Sequence, residues 1–166
     1  MTRTWRLLSL LLTAAAPAAE RQPSASIVGT WELVSRVERD STGRVVPDSS
    51  LGTDPVGLLV YDAAGHVAVQ IMKRRRTGPP CAVTAKADVN NPAQFAGYDA
   101  NYGRYEMNRA TRTITHHLEG ALGPEDVGRT VTREYRLEGD TLTLWYRPGG
   151  PRDTHTRTLA WHRVSR

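Results

Sequence analysis

Hydrophobic and polar residues alternate along most of this chain after residue 26. The alternation in the first such segment, 27–38, gives an inner face of Trp31, Leu33, Ser35 and Val37 and an outer face of Glu32, Arg36 and Glu38. A period of two residues is that of a β-strand with one buried face. Because Trp31 is the largest apolar side chain of the segment, we expect it to lie in the core.

Further alternating segments follow, separated by turns rich in Gly, Asp and Pro. They span residues 44–46, 57–61, 66–72, 103–108, 113–119, 129–137, 141–147 and 155–164. The pair around Asp62–Gly65 is the clearest hairpin, since two β-rich runs flank a short turn that ends in glycine. Eight or nine short strands in sequential order without a long helix predict an all-β fold, a single antiparallel barrel. A barrel of eight strands can hold one small ligand.

Residues 73–101 lack a strand period and contain three prolines and three asparagines. We expect a long loop over the mouth of the barrel, because long irregular segments are usually functional or mobile. Within it, residues 91–97 predict a short helical segment, with Asn91 as the cap, Pro92 at the first helical position and Gly97 at the end.

The first eighteen residues have the pattern of a secretory signal peptide. Two arginines precede the apolar run 7–15, which is too short to span a bilayer, and Ala16 and Ala18 supply the small residues of a cleavage site. We therefore expect a signal peptide over 1–18, a linker over 19–26 and one barrel domain over 27–166. The mature protein is expected to be soluble and exported, to the periplasm or beyond.

Charge and cysteine content exclude several other classes. Removing residues 1–18 takes away two arginines and no acid, so the formal charge falls from +5 to +3 and gives no reason to expect nucleic-acid binding. The run from Lys73 to Arg76 is either a solvated surface or a patch that faces acidic lipid or glycan. Cys81 is the single cysteine, so no internal disulfide can form.

Several motifs together resemble the bacterial and fungal lipocalin-like domain family of the calycin group. They are Gly29-Thr30-Trp31 with Glu32-Leu33-Val34, the run from Asp54 to Asp62, Gly65-His66 with Gln70-Ile71-Met72, Tyr102-Gly103-Arg104-Tyr105, Thr115-His116-His117, and Trp161 followed by Arg163-Val164. They cover nearly all of the mature chain. The resemblance implies a calycin-type barrel with an internal cavity.

In calycins an arginine near the end of the last strand packs on the tryptophan of the first strand. The resemblance therefore implies that Arg163 stacks on Trp31 and closes one end of the barrel. The chain lacks the disulfides and the long C-terminal helix that are common in secreted animal lipocalins. Their ligand classes are for this reason not carried over.

Two polar residues lie on otherwise apolar strand faces. His116 shares a face with Ile114 and Leu118, and Arg133 shares one with Val131 and Tyr135. Such a residue either faces a ligand cavity or is bonded within the core. The candidate ligand-binding residues are Tyr61, Tyr105, His116, Arg133 and Tyr135.

No metal or cofactor is expected. His116 and His117 are neighbours on a strand and point to opposite faces, so they cannot bind one ion from the same cavity. No nucleophile elbow, phosphate-binding glycine loop or zincin helix occurs in the chain.

Two functions are compatible with these residues. The first is binding of a small, mainly hydrophobic molecule in the barrel cavity. The alternative is an isomerase or cyclase that shapes a small apolar substrate and places a His or Tyr donor beside it.

We predict that the mature chain begins near Ala19, because Ala16 and Ala18 occupy the small-residue positions before it. N-terminal sequencing of exported protein measures this directly. An intact Met1 in that fraction would contradict the prediction.

Overall fold

The computed structural model describes residues 26–48, 50–76, 97–150 and 152–165. The nine strands found there are β1 (Gly29–Arg39), β2 (Val45–Val46), β3 (Val56–Tyr61), β4 (His66–Met72), β5 (Tyr98–Asn108), β6 (Thr113–Ala121), β7 (Thr130–Glu138), β8 (Thr141–Tyr146) and β9 (Thr156–Ser165). A short 3-10 turn spans Pro124–Asp126. The predicted signal peptide, the predicted helical segment except Gly97, and Cys81 lie outside the described residues.

Every pairing between these strands is antiparallel, and the sheet runs from β3 to β9 in sequence order. Strand β1 closes it, because its first residues pair with β3 and its whole length pairs with β9. Strand β2 is an extra that pairs only with the end of β1. The predicted all-β antiparallel barrel is therefore confirmed.

The closed end of the barrel is filled by large apolar side chains. Trp31, Ile114 and Leu142 are fully buried, and Trp161 and Leu59 are nearly so. The Arg163 guanidinium carbon lies 4.0 Å from the centroid of the Trp31 ring, a distance that allows a cation–π interaction.

Arg163 is also hydrogen-bonded at each of its guanidinium nitrogens. It donates to the carbonyl oxygens of Ser26 and Val28, each at 2.6 Å, and to Asp140 Oδ1 at 3.1 Å. Arg163, in β9, therefore links the residues before β1 to the turn between β7 and β8 and stabilises the closed end of the barrel.

The alternation predicted for β1 breaks at Val34. Leu33 pairs with Trp161 while Ser35 pairs with Ala160, so the register shifts at a β-bulge, and Val34 is 66% exposed. One extra residue moves every later side chain to the opposite face. The prediction that Ser35 and Val37 face the core while Arg36 and Glu38 face solvent is therefore wrong: beyond the bulge, Arg36 and Glu38 turn inward.

Strand β5 begins five residues earlier than predicted, at Tyr98 instead of Gly103. Asp99 pairs with Ile71 and Asn101 pairs with Val69, so both polar side chains occupy inward positions. The prediction of an irregular segment up to residue 101 is wrong there, because polar inward residues hide the apolar alternation that marks a strand.

The segment between β2 and β3 is tied to the barrel by an ion pair and an apolar contact. Asp48 accepts hydrogen bonds from the backbone N–H groups of Ser50 and Leu51 and forms an ion pair with Arg36. Leu51 is 3% exposed and belongs to the core. Because Arg36 faces inward, it can form the ion pair that holds this segment against the barrel.

We predict that Trp31→Ala lowers the free energy of unfolding by about 3 to 5 kcal/mol, since it removes an aromatic core side chain. Arg163→Ala should cost less, and the double variant should show an interaction energy of about 0.5 kcal/mol or more, because the two side chains touch. Urea unfolding of the four proteins measures this cycle. Additive losses would contradict the packing of Arg163 on Trp31.

Candidate functional site

A cavity of about 1050 Å³ opens at the end of the barrel opposite Trp31. Its inward-facing lining is Asp99, Asn101, Leu118, Val131, Arg133, Tyr146 and Arg157. Outer-face residues of β7 and β8, such as Thr132 and Trp145, also border the space, so the volume within the barrel is smaller than the total. The barrel is thus apolar at its closed end and polar at its mouth.

Arg133 lies on the cavity wall and is hydrogen-bonded to a buried histidine. Its Nη1 lies 3.0 Å from His116 Nδ1, and His116 Nε2 lies 2.8 Å from the Tyr61 hydroxyl. Arginine can only donate, so Nδ1 accepts and the ring proton is on Nε2. His116 therefore donates to Tyr61, and the three side chains form one directed chain of hydrogen bonds.

This arrangement requires an uncharged His116. Burial in the core, and then the nearby positive charge of Arg133, hold the pKa of His116 well below its usual value. Burial likewise raises the pKa of the Tyr61 hydroxyl. His116 and Tyr61 are therefore both neutral, and of the three hydrogen-bonded side chains Arg133 alone carries a charge.

The structure brings four of the five candidate ligand-binding residues together but places only one of them in the described cavity wall. Tyr61 and His116 lie in the layer below Arg133, and the Tyr105 ring meets Tyr61 edge to face with centroids 4.7 Å apart. The Tyr105 hydroxyl donates to the Asp62 carbonyl at 2.9 Å. Tyr135 packs on the core instead. Arg133 reaches the cavity. Direct contact between a ligand and the other four candidates, including Tyr135, stays a prediction.

Sequence reasoning missed a second polar group at the mouth. Arg157 donates to Glu38 through Nε and Nη2 at 3.0 and 2.5 Å and to the Tyr146 hydroxyl through Nη1 at 3.2 Å. His155 Nδ1 lies 3.0 Å from the other Glu38 oxygen. Burial raises the pKa of Glu38, but the hydrogen bonds and positive charges of Arg157 and His155 lower it by more, so the pKa lies below its usual value. Arg157 shares its strand face with Leu159 and Trp161, whereas the bulge in β1 hides the inward position of Glu38 from an analysis of alternation.

Asp99 was missed as well, because its segment carries no apolar alternation. Asp99 is exposed, and it lines the cavity. Nearby protein atoms still displace part of the water around the carboxyl, and this desolvation raises its pKa, while the charge of Arg36 offsets part of the effect. Within the described part of the chain, no hydrogen bond or ion pair is made by this carboxyl.

No group of His, Cys, Asp and Glu among the described residues could hold a metal ion. His117 lies on the outer face, with Nδ1 3.1 Å from the Thr130 hydroxyl. Nor does the part of the chain that the structure describes contain a helix long and apolar enough to cross a membrane.

We predict that His116 is the Nε2–H tautomer and remains neutral in the folded protein well below pH 6.5. Only the unfolded chain then binds a proton at this residue as pH falls through 6.5, its ordinary pKa, so stability is lost toward acid. Between pH 7.5 and 5.5 the wild type should lose about 1.4 kcal/mol more than His116→Gln. Urea unfolding at both pH values and ¹⁵N chemical shifts of the ring measure these effects. Equal losses in the two proteins would contradict a depressed pKa.

Comparison with known proteins gives the family. No curated protein matches the chain, so no relative's activity bears on the site. A family model for the lipocalin-like domain matches residues 28–164, which includes all nine strands except the last residue of β9. The chain belongs to the lipocalin-like domain family.

Proposed function

We propose that this protein binds a small molecule in its barrel cavity and fixes the acidic or carbonyl head of that molecule with Arg133. The observation that carries the proposal is the incomplete hydrogen bonding of this one cavity-facing guanidinium. The lipocalin-like fold supports it, because barrels of eight strands are large enough for one small ligand.

Arg133 has a neutral environment on its protein side. Nη1 is bonded to His116, and the guanidinium carbon lies 4.9 Å from the centroid of the Tyr146 ring. Among the described residues no carboxylate lies within ion-pair distance, and neither Nε nor Nη2 has an acceptor. A partly buried cation in such a place is costly unless an acceptor is supplied.

A carboxylate, enolate or carbonyl group would supply that acceptor. The guanidinium presents its donors in a planar fork that matches two oxygen atoms of one carboxylate. Leu118, Val131 and the Tyr146 ring add apolar surface to the same cavity. The ligand that suits this wall is amphipathic, with a polar head and an apolar body.

Binding is better supported than catalysis. The isomerase or cyclase alternative relied on a His or Tyr donor in the cavity, and His116 and Tyr61 lie beneath the described wall with each other as partners. We propose further that the protein acts after export, because of the signal-peptide pattern in residues 1–18.

The proposal is tested with two probes of equal chain length, dodecanoic acid and 1-dodecanol. Arg133→Met should weaken dodecanoate about 10- to 100-fold, the range for a lost hydrogen bond to a charged group, while 1-dodecanol changes much less. Isothermal titration calorimetry at pH 7.5 measures both affinities.

The matched control is Arg104→Met, on the outer face of β5, where Arg104 pairs with Glu119 at 3.3 Å. It should leave both affinities unchanged. Equal losses for the two probes in Arg133→Met, or no binding of either probe by the wild type, would contradict the proposal.

A further inference from the structure

The charged side chains inside the mouth divide into matched pairs and a remainder. Arg36 pairs with Asp48, and Arg157 pairs with Glu38. Each cation of these pairs has its own carboxylate. Over the part of the chain that the structure describes, the remaining charges at inward cavity positions are Arg133 and Asp99.

These two remaining groups do not satisfy each other. No ion pair joins Arg133 to Asp99, and over the described residues neither has a charged partner of its own. The loss of surrounding water raises the pKa of the Asp99 carboxyl, and the positive charge of Arg133, after that of Arg36, lowers it. Both line the same cavity, so the space between them is open to a ligand.

Resting on the proposed function, we infer that the ligand is a zwitterion: its carboxylate binds Arg133 and an ammonium group of the same molecule binds Asp99. An α-amino acid head on an apolar body has this chemistry. A simple fatty acid would bind Arg133 but would bring a second negative charge toward Asp99. A zwitterion complements both groups and leaves the net charge of the cavity unchanged.

The surroundings of Asp99 support a cationic partner. The charged groups that act on it are Arg36, Asp126, Arg157 and Arg133. Arg36 and Arg157 are already engaged by Asp48 and Glu38, and Asp126 by Arg129. The Asp99 carboxyl has no partner among the described residues, so it can accept hydrogen bonds from a ligand group that carries positive charge.

Three probes of equal length separate the possibilities: 2-aminododecanoic acid, dodecanoic acid and dodecylamine. Wild-type protein at pH 7.5 should bind the zwitterion about tenfold or more tightly than either singly charged probe. In Asp99→Asn this preference over dodecanoate should vanish, while dodecanoate binds as well as before or better, because a like charge has been removed. Arg133→Met should weaken both carboxylates.

Glu119→Gln is the matched control for Asp99→Asn, since it removes a carboxylate from the outer face of the neighbouring strand. Thermal unfolding verifies that each variant is folded, and Asp99→Ser provides a second variant without the carboxylate. A preference that persists in both Asp99 variants, or is missing in the wild type, overturns the inference. If Arg133→Met still weakens dodecanoate in that case, the proposed function stands alone; if it does not, the proposed function fails too.

Discussion

The β-bulge at Val34 is the constraint on which the rest of the barrel depends. Before it, β1 places Trp31 and Leu33 in the core; after it, the same strand places Arg36 and Glu38 inward. A strand without the bulge would have put Ser35 and Val37 at the mouth and the two charged side chains on the outside. The single extra residue therefore divides the barrel into an apolar end, which stabilises the fold, and a polar end that is open to a ligand.

Two arginines in this barrel differ in how completely the protein satisfies their hydrogen bonds. Arg163 is satisfied by the protein: two carbonyl oxygens, one carboxylate and the Trp31 ring surround it, and its side chain is 7% exposed. Arg133 has one neutral acceptor and an aromatic face, and it borders a cavity. Its Nε and Nη2 have no acceptor among the described residues, so a ligand could complete the hydrogen bonding of this guanidinium.

Alternation predicted most of the barrel from sequence, because one face of each strand meets an apolar core. It placed Trp31, His116 and Arg133 inward correctly. It failed where the inward face is polar or the period changes. Asp99 interrupts an apolar pattern, and the bulge moves Glu38 from the outer face to the inner face. Both residues lie at the mouth, so the alternation that predicts a fold is weakest where polar residues replace the apolar core.

The neutrality of His116 also determines what ligand binding can change. An anion on Arg133 would reduce the repulsion that this arginine exerts on a proton at His116. Burial, the larger cause of the low pKa of His116, would remain. The imidazole would therefore stay neutral and keep Nδ1 available as an acceptor. Arg133 would hold the same orientation with and without a ligand, so the side of the site formed by Arg133, His116 and Tyr61 is organised before binding, which reduces the entropic cost of association.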